Sequence, residues 1–482
     1  MDRTIRTAHS AFLAARERSR SERADWLDSI AAALEEHRAE LVHLAHEESH
    51  LSEARLGGEL TRTIFQLGLF AAEVRAGAFL DATIDHSDAG WGMGPRPDIR
   101  RVNVPLGVVG VFGASNFPFA FSVIGGDSAS ALAAGCAVVH KIHGAHPRLG
   151  RRTLEVVQNA LRAAGAPAGL FAGITGRDAG LELVDHPLVQ AIGFTGSEQA
   201  GRLLFDRACA RPRPIPFYGE LGSLNPVVVT PAAWEARGEA ILEGFAASMT
   251  LGLGQFCTKP GLLLLPAAAV EQAAAALPRL LDKPGDTPAM LSEDIRDGFL
   301  RSRDGLSGAA EVRTLVQGSD GATGDDLAPR PTVLAVDAAG LTVGSPVLQD
   351  EMFGPAAVLV SCASPAEALR VVELLSGQLT GTIHSEPGED IRELVTALSD
   401  RCGRVLRNGW PTGVSVTYAQ QHGGPYPAAT STTTSVGTAA ARRFLRPVAY
   451  QDFADADLPP ELQEANPLGV PRRVDGVWEP GR

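Results

Sequence analysis

Long apolar segments are absent from this 482-residue chain, and no run is long enough to span a bilayer. Residues 1–27 are rich in Arg and Glu and lack the apolar core of a signal peptide. Cysteine is also scarce, and an odd, scattered set is typical of free thiols in a reducing compartment. We therefore expect a cytoplasmic protein without a membrane partner. The five cysteines are Cys136, Cys209, Cys257, Cys362 and Cys402.

Basic residues are outnumbered, with 43 Lys and Arg against 56 Asp and Glu, which gives a formal net charge of −13. An acidic surface argues against a nucleic acid or an anionic membrane as partner. An anionic ligand must then be held by a few local cations and not by the overall field. The composition, 45% hydrophobic and 21% charged, is that of a globular protein. Its length predicts two or three domains.

Three familiar catalytic patterns are missing: C-x-x-C, G-x-S-x-G and the dinucleotide turn G-x-G-x-x-G. Thioredoxin-like and esterase functions therefore lack support. Three histidines, His140, His143 and His146, surround Lys141 at regular spacing. They have no cysteine or carboxylate companions nearby, so no metal site is predicted there.

The spacing of apolar residues predicts helices over residues 2–83 and a connector or hairpin over 85–98. From Pro105 onward, short apolar strands alternate with helices, which is typical of a doubly wound parallel sheet that binds ligands at the carboxyl ends of its strands. A second α/β segment follows over 225–408, and the tail after 409 is rich in Gly, Pro, Ser and Thr. The predicted strands are 107–113, 137–141, 170–175 and 191–195; the helices are 119–134, 148–164, a short one reaching 185, 198–210, 234–251 and 267–281.

Cys257 lies between a predicted helix that ends near Leu251 and a strand that begins near Leu262. Gly and Pro residues on both sides predict a fixed turn that holds the sulfur at a cleft. Lys259 is a candidate to favour the thiolate, and the alternative is that its side chain points away. A lone cysteine is also commonly a small buried residue without chemistry. From this stretch alone both interpretations stay open.

Glu220 follows an apolar strand and has Gly219 and Gly222 on its two sides. A general base needs a raised pKa, and apolar surroundings would supply it. The alternative is an ordinary solvated Glu in a loop.

Two strand-to-helix junctions add candidates. Asn116 follows the first predicted strand and could donate to an oxyanion, or Ser115 or Asn116 could cap the next helix. The stretch Thr195-Gly196-Ser197 predicts an anion site at a helix N-terminus, in which Ser197 also serves as N-cap.

Taken together, these stretches resemble the aldehyde dehydrogenase superfamily along nearly the whole chain. Five motifs in the family's order leave little room for a chance match. They are Ala114-Ser115-Asn116-Phe117-Pro118, Phe194-Thr195-Gly196-Ser197, Glu220-Leu221-Gly222 with Asn225-Pro226, Gly254-Gln255-Phe256-Cys257-Thr258 and Glu351-Met352-Phe353-Gly354-Pro355.

The resemblance implies Cys257 as nucleophile, Glu220 as base and Asn116 as oxyanion donor. The thiolate would add to an aldehyde, hydride would pass to NAD(P), and water would hydrolyse the thioester to an acid. The implied cofactor contacts are Gly196 and Ser197 at the pyrophosphate, Lys141 at the adenosine ribose, Glu351 and Phe353 at the nicotinamide ribose and ring, and Leu221.

The implied fold is α/β, with a doubly wound parallel sheet in the cofactor domain, an α/β catalytic domain and a small oligomerisation element. We expect the dinucleotide-binding domain at 1–84 and 106–222 and the catalytic domain at 223–422. The bridging element would comprise 85–105 and 423–482. The resemblance also implies a homodimer or a tetramer built from two dimers.

A narrower resemblance points to the 2-oxoglutarate semialdehyde (2,5-dioxopentanoate) dehydrogenases, and NADP-dependent long-chain aldehyde dehydrogenases share much of the pattern. It implies Phe117, Phe121 and Ile124 as walls of the aldehyde tunnel, whereas no residue stands out as partner of a substrate carboxylate. The matching stretches are Phe119-Ala120-Phe121-Ser122-Val123-Ile124-Gly125-Gly126-Asp127, His143-Gly144-Ala145-His146-Pro147, Pro216-Phe217-Tyr218-Gly219-Glu220, Asn408-Gly409-Trp410-Pro411-Thr412-Gly413, His422-Gly423-Gly424-Pro425-Tyr426-Pro427 and Arg443-Phe444-Leu445-Arg446-Pro447-Val448.

Two departures from the family pattern matter. Gly144 stands where many NAD-preferring members have a Glu that binds the adenosine ribose. Without that carboxylate a 2′-phosphate is not repelled, so we expect NADP to be accepted, with Arg177 or Lys141 as counter-charge and NAD still possible. The chain also looks shorter than the narrower group between Asp282 and Val333.

The sequence alone leaves three alternatives open. A CoA-acylating dehydrogenase would share the nucleophile but would not need the base Glu220. A long-chain aldehyde dehydrogenase would differ in its substrate. A catalytically inactive binding or structural protein on the same scaffold would not need the set of Cys257, Glu220 and Asn116.

Overall fold

A computed structural model of the chain describes residues 1–282, 288–319 and 328–481. The helices within these ranges are α1 (Asp2–Ala15), α2 (Arg20–Glu36), α3 (Arg38–Ser49), α4 (Glu53–Ala76), α5 (Gly126–Ala134), α6 (Pro147–Ala163), α7 (Arg177–Asp185), α8 (Glu198–Cys209), α9 (Pro231–Thr250), α10 (Val270–Leu281), α11 (Glu293–Ser307), α12 (Pro365–Leu374) and α13 (Arg392–Arg401).

The strands within the described ranges form three sheets. In chain order they are β1 (Ala82–Asp85), β2 (Ile99–Pro105), β3 (Val108–Phe112), β4 (Ala137–Lys141), β5 (Phe171–Ile174), β6 (Val189–Thr195), β7 (Phe217–Glu220), β8 (Pro226–Val229), β9 (Leu262–Pro266), β10 (Arg313–Val316), β11 (Thr332–Asp337), β12 (Ala356–Cys362), β13 (Gln378–His384), β14 (Cys402–Arg407), β15 (Leu445–Gln451), β16 (Arg472–Val474) and β17 (Val477–Glu479).

The first sheet has the strand order β5-β4-β3-β6-β7, and all its neighbouring strands are parallel. Helices α5 to α8 each connect two consecutive strands of this sheet, which confirms the predicted doubly wound architecture. The carboxyl ends of the strands meet at one edge, because Phe112 pairs with Lys141 and Thr195 pairs with Glu220. The predicted site residues that follow strands of this sheet therefore begin from a common edge.

The second sheet has the order β10-β11-β12-β9-β8-β13-β14, and only the pairing of β10 with β11 is antiparallel among these described strands. Its central strands are apolar and buried on both faces, as the Leu262–Leu265 stretch of β9 shows. Cys257 lies in the segment that leads into this strand. The turn before a rigid central strand therefore positions the sulfur.

The third sheet, with the order β15-β2-β1-β16-β17, brings together segments from the two ends of the chain. The antiparallel pairing of β1 with β2 and a bridge between Asp88 and Arg96 confirm the hairpin predicted over 85–98. β15 lies beside β2 at the edge of this sheet. The division of the chain into three domains at the stated residues stays a prediction.

The helix predicted over 119–134 is wrong in its first half, because α5 begins only at Gly126. The segment before it folds into turns, since the Glu59 carboxylate accepts the backbone N–H groups of Phe119 and Ala120 at 2.8 and 2.9 Å. A side chain at Gly125 would lie 2.4 Å from the carbonyl oxygen of Ala120, so the close approach requires glycine. These turns bring Phe117 and Phe121 to the site described below.

The helical region predicted to reach residue 83 also ends early. Helix α4 stops at Ala76, where Gly77 adopts the left-handed conformation, and Ala82 begins a strand. No helix in the described part of the chain is both long and apolar enough to cross a membrane. The segment predicted to be short, 282–333, includes 283–287 and 320–327, which lie outside the described residues.

Candidate active site

The turn that carries Cys257 follows α9 directly. Gly252, Leu253 and Gly254 have φ values of 57°, 54° and 66°, so the chain reverses through three left-handed residues. A Cβ atom at Gly254 would lie 2.2 Å from the carbonyl oxygen of Gly354, so glycine is required there. Backbone geometry therefore fixes the position of the nucleophile more tightly than an ordinary loop would.

Asn225, just before β8, holds the other side of this turn. Its Nδ2 donates to the carbonyl oxygens of Cys257 and Lys259, both at 2.8 Å. Its Oδ1 accepts the hydroxyls of Ser223 and Thr380, each at 2.9 Å. A fully buried amide with these partners acts as a brace for the cysteine backbone.

Lys259 does not act as the predicted cation beside the sulfur. Its buried Nζ donates to the carbonyl oxygens of Met352 and Ala356 at 2.9 and 2.6 Å. Burial lowers the pKa of Lys259, and the nearby carboxylate of Glu351 opposes that shift. The lysine therefore ties the Cys257 turn to the segment that contains Glu351.

Glu220 and His422 complete the surroundings of the sulfur. The His422 Nε2 lies 3.6 Å from the Cys257 Sγ and 2.8 Å from the Glu220 Oε1. The Ser435 hydroxyl donates to the Glu220 Oε2 at 2.6 Å. Cys257 is partly exposed, whereas Glu220 and His422 are buried. Cys257 is therefore not sealed in the core, and Glu220 is not a solvated residue in a loop.

Burial raises the pKa of the Cys257 thiol well above its usual value, and the negative charges of Glu220 and Glu351 raise it further. The sulfur is therefore a thiol in the resting site at neutral pH. A proton acceptor is needed before it can attack a carbonyl.

The predicted raised pKa of Glu220 is wrong. Burial alone would raise it, but the His422 imidazole and the hydroxyl of Ser435 outweigh burial, so the pKa of Glu220 lies below its usual value. The carboxylate is therefore ionised over the neutral range and available to accept a proton.

Sequence reasoning missed the role of His422. The residue lies in the long loop after β14, where its backbone N–H donates to the Thr434 hydroxyl at 2.9 Å and its carbonyl oxygen accepts the Ser435 N–H at 2.8 Å. A bridge between Glu220 and Ala429 holds this loop against the end of β7. The His422-Gly423-Gly424 stretch was visible in the sequence as a motif, but nothing local indicated its contact with Cys257.

The Asn116 amide reaches the same turn. Its Nδ2 donates to the carbonyl oxygen of Gln255 at 3.0 Å, and Asn116 is buried. The alternative that Ser115 or Asn116 caps a helix is wrong, because the N-cap residue of α5 is Gly125. One Nδ2 hydrogen is used by Gln255, which leaves the second to donate to an oxyanion.

An aromatic cluster adjoins this centre. The Phe117 ring lies 5.4 Å from the ring of Phe121 and 5.2 Å from that of Phe256, and Phe121 lies 5.9 Å from the His422 ring. Ile124, the third predicted wall residue, lies elsewhere: it is 1% exposed and packs in the large core around the first sheet. The turns before α5 direct it away from the aromatic cluster. We use the name aromatic cluster for Phe117, Phe121 and Phe256.

The predicted adenosine and pyrophosphate residues lie at the carboxyl edge of the first sheet. Lys141 ends β4, and Arg177 begins α7. Gly196 and Ser197 are exposed at the N-terminus of α8, where the Ser197 hydroxyl accepts the Ala200 N–H at 3.4 Å. Such a helix start offers free N–H groups to a diphosphate, and a strand-end lysine suits a ribose or phosphate. These donors fit a dinucleotide.

Glu351, Phe353 and Leu221 lie on the catalytic side. A Cβ atom at Gly222 would lie 2.7 Å from the Glu351 Oε2, so this glycine permits the carboxylate to approach the end of β7. Burial raises the pKa of Glu351. Leu221 is buried and donates its N–H to Ala428, and Phe353 is half-buried. A carboxylate here suits the hydroxyls of a nicotinamide ribose.

The ligand atoms of Cys257, Glu220 and His422 lie within 4.8 Å of one another, so this described group could also hold a divalent cation that accepts S, O and N ligands.

The histidines around Lys141 have other contacts. The ring of His140 lies 3.3 Å from the Ser128 hydroxyl, and that of His146 lies 3.2 Å from the carbonyl of Ala114.

The sequence profile described as the aldehyde dehydrogenase family matches residues 1–442. The chain therefore belongs to the aldehyde dehydrogenase family, whose members use a nicotinamide cofactor.

Two relatives are similar over nearly the whole chain. Alpha-ketoglutaric semialdehyde dehydrogenase 2 of Azospirillum brasilense is 46% identical, with 99% of this chain and 92% of the relative covered. Alpha-ketoglutaric semialdehyde dehydrogenase of Acinetobacter baylyi is 40% identical, with 99% and 91% covered. A mutant of aldehyde dehydrogenase C from Pseudomonas syringae, solved with NAD⁺ and octanal, has the same fold, with a TM-score of 0.78, 21% identity and 95% and 90% of the two chains covered.

Proposed function

We propose that this enzyme oxidises 2-oxoglutarate semialdehyde to 2-oxoglutarate with NADP⁺ or NAD⁺. The observation that carries the reaction is the meeting of Cys257, Glu220 and His422, with the Asn116 amide on the same turn. The observation that supports this substrate is the 46% and 40% identity to the two alpha-ketoglutaric semialdehyde dehydrogenases.

The first step is the addition of the Cys257 sulfur to the aldehyde carbon. The thiol proton passes to the carboxylate of Glu220. The His422 N–H lies close to both the sulfur and the carboxylate, so it stabilises the negative charge before and after this transfer. The new alkoxide accepts hydrogen bonds from the Asn116 amide and the Cys257 backbone N–H.

A nicotinamide held beside Glu351 and Phe353 would supply the hydride acceptor that oxidation of the tetrahedral adduct on Cys257 requires. The thioester that remains is hydrolysed by a water from which Glu220 removes the proton. Glu220 must first release the thiol proton to solvent, and its lowered pKa favours that release, so the carboxylate is ionised again when it takes the proton from water. A buried ionised carboxylate beside the sulfur favours transfer of the acyl group to water over transfer to coenzyme A.

The cofactor preference proposed here is for NADP. Gly144 is exposed, and no atom lies within 4 Å of the position that its Cβ would occupy. Because Gly144 has no side chain, this position carries no carboxylate that would repel a 2′-phosphate. Lys141 and Arg177 are the cations proposed to contact the 2′-phosphate. Lys141 is partly buried, and this burial lowers its pKa.

Steady-state kinetics test the function directly. We expect kcat/KM to be highest for 2-oxoglutarate semialdehyde with NADP⁺, and 2-oxoglutarate to be the product with or without coenzyme A. A higher kcat/KM for a fatty aldehyde would instead support the long-chain alternative, and formation of an acyl-CoA would support the CoA-acylating one. No NADPH or NADH formation with any aldehyde would contradict the proposal and favour an inactive scaffold.

We further propose a homodimer or tetramer in the cytoplasm. Exposed apolar side chains on the 85–98 connector and the third sheet support association, with Met93 90% and Trp478 55% exposed. The free cysteines among the described residues support a reducing compartment. A monomeric mass by light scattering at micromolar concentration would contradict the assembly.

A further inference from the structure

Arg62 carries an unpaired positive charge beside the active site. It lies on α4, and its Nε donates to the carbonyl oxygen of Val414 at 3.3 Å. Its two terminal nitrogens are buried and have no hydrogen-bond partner among the described residues. Buried guanidinium nitrogens without an acceptor are unfavourable, so an anionic ligand that supplied two acceptor oxygens would be bound strongly there.

The nearest acidic residue on the same helix does not bind the terminal nitrogens of Arg62. Glu59 lies one turn before Arg62, but its Oε1 accepts the backbone N–H groups of Phe119 and Ala120. Burial raises the pKa of Glu59, which disfavours its charged form. Glu59 therefore holds the turns before α5, while the terminal nitrogens of Arg62 stay available.

Contacts place the guanidinium at the aromatic cluster. Its Cζ lies 5.4 Å from the Phe121 ring centroid, and that ring lies 5.9 Å from the ring of His422. Burial lowers the pKa of Arg62, and the carboxylates of Glu59 and Glu220 oppose that lowering. Arg62 thus lies near enough to the catalytic centre to interact with it electrostatically.

Two other cations near the centre donate their terminal nitrogens to protein acceptors. Arg404 donates to the carbonyls of Pro411 and Gly413, and the Arg443 guanidinium forms a buried ion pair with Asp127 at 2.7 Å. In an acidic protein with a net charge of −13, an anionic substrate depends on such a local cation.

We propose that Arg62 binds the carboxylate at the far end of the substrate, opposite the aldehyde, and so selects a short aldehyde that ends in a 2-oxo acid. This inference rests on the proposed function. A planar guanidinium matches a carboxylate through two parallel hydrogen bonds. A five-carbon chain of C–C bonds of about 1.5 Å spans roughly 5 Å, a length that suits a short tunnel lined by aromatic rings. The Phe121 ring packs on the guanidinium and supports its orientation.

The test compares Arg62→Met with Arg75→Met. Both changes remove an arginine from α4, but Arg75 is at the exposed end of the helix and pairs with Asp25 and Asp28. The substrates are 2-oxoglutarate semialdehyde and uncharged pentanal, which has the same number of carbons. We expect Arg62→Met to lower the ratio of kcat/KM for the two aldehydes by about 10²-fold or more, as for loss of one partner of a buried charge pair. Arg75→Met should leave this ratio unchanged.

Two further measurements test whether the Arg62 guanidinium binds the carboxylate. Arg62→Lys keeps the charge but loses the paired donors, so its kcat/KM ratio for the two aldehydes should lie between the wild-type and Arg62→Met values. If Arg62→Met does not fold, Arg62→Lys is compared with wild type instead. The inhibition constant of the product, 2-oxoglutarate, should rise in the same order.

The possible failures are distinguishable. A wild-type enzyme without preference for 2-oxoglutarate semialdehyde over pentanal would overturn the proposed function. A wild-type preference that persists in Arg62→Met and Arg62→Lys would overturn this inference alone. An equal loss with both aldehydes, together with a shift in the pH dependence of Cys257 alkylation by iodoacetamide, would also overturn it, because Arg62 would then act through the thiol.

Discussion

The catalytic edge and the cofactor edge of this molecule differ in how their polar residues are held. Around Cys257, each polar group contacts a segment far away in sequence: Glu220 contacts His422 and Ser435, and the Asn116 amide binds the Gln255 carbonyl. At the carboxyl edge of the first sheet, Gly144, Gly196 and Ser197 are exposed and are positioned by their own strand-to-helix junctions.

This difference separates preorganisation for chemistry from recognition of a ligand. A buried, interconnected site changes its reactivity when one member is replaced, since the partners lose charge or orientation together. An open edge changes affinity for one ligand and leaves the chemistry intact. Substitutions on the two sides should therefore produce effects of different size and kind.

Glu220→Gln should give the largest effect. Loss of the general base should lower kcat by about 10²- to 10⁴-fold. Because the Glu220 charge raises the pKa of Cys257, the same variant should also alkylate with iodoacetamide at lower pH than wild type. Exposed Glu393→Gln is the matched control. A variant with an unshifted alkylation profile would contradict the electrostatic coupling.

Asn116→Ala should rank next. Removal of one oxyanion donor costs about 10²- to 10³-fold in turnover in comparable sites. We expect the loss in kcat with little change in KM, because the amide acts on charge that develops after binding. A loss confined to KM would show that Asn116 contacts the bound aldehyde instead.

His422→Gln should have a smaller effect with a distinct pH signature. His422 lowers the pKa of Glu220, so in the variant that pKa should rise and the acidic limb of the kcat profile should move to higher pH. At neutral pH we expect roughly a tenfold loss, the value of one hydrogen bond to a charged group of about 1.5 kcal/mol. An acidic limb that stays in place would show that His422 serves only the sulfur.

The sequence predicted the cofactor edge well because its information is local. The strand over 137–141 has the predicted bounds, and helices α6 and α8 begin within one residue of their predicted starts. Ser197 caps α8 as expected, since an N-cap depends only on residues three positions away.

The catalytic edge was predicted only in part. Motifs identified Cys257, Glu220 and Asn116, but the positions of His422 and Ser435 depend on a loop after β14 that reaches back over β7. The expected raised pKa of Glu220 was wrong for the same reason, because those two residues outweigh burial. Sequence spacing carries no information about such long-range contacts.

Gly144→Glu should give the smallest and most selective effect, on the open edge. No atom lies within 4 Å of the added Cβ, so the new side chain fits without rearrangement. Like charges about 4 Å apart in water repel by about 1 kcal/mol, so kcat/KM for NADP⁺ should fall roughly fivefold or more while that for NAD⁺ holds or rises. Gly144→Gln has the same size without the charge and should change the preference less. Equal losses with both cofactors would mean that this edge, like the catalytic one, transmits local changes into the chemistry.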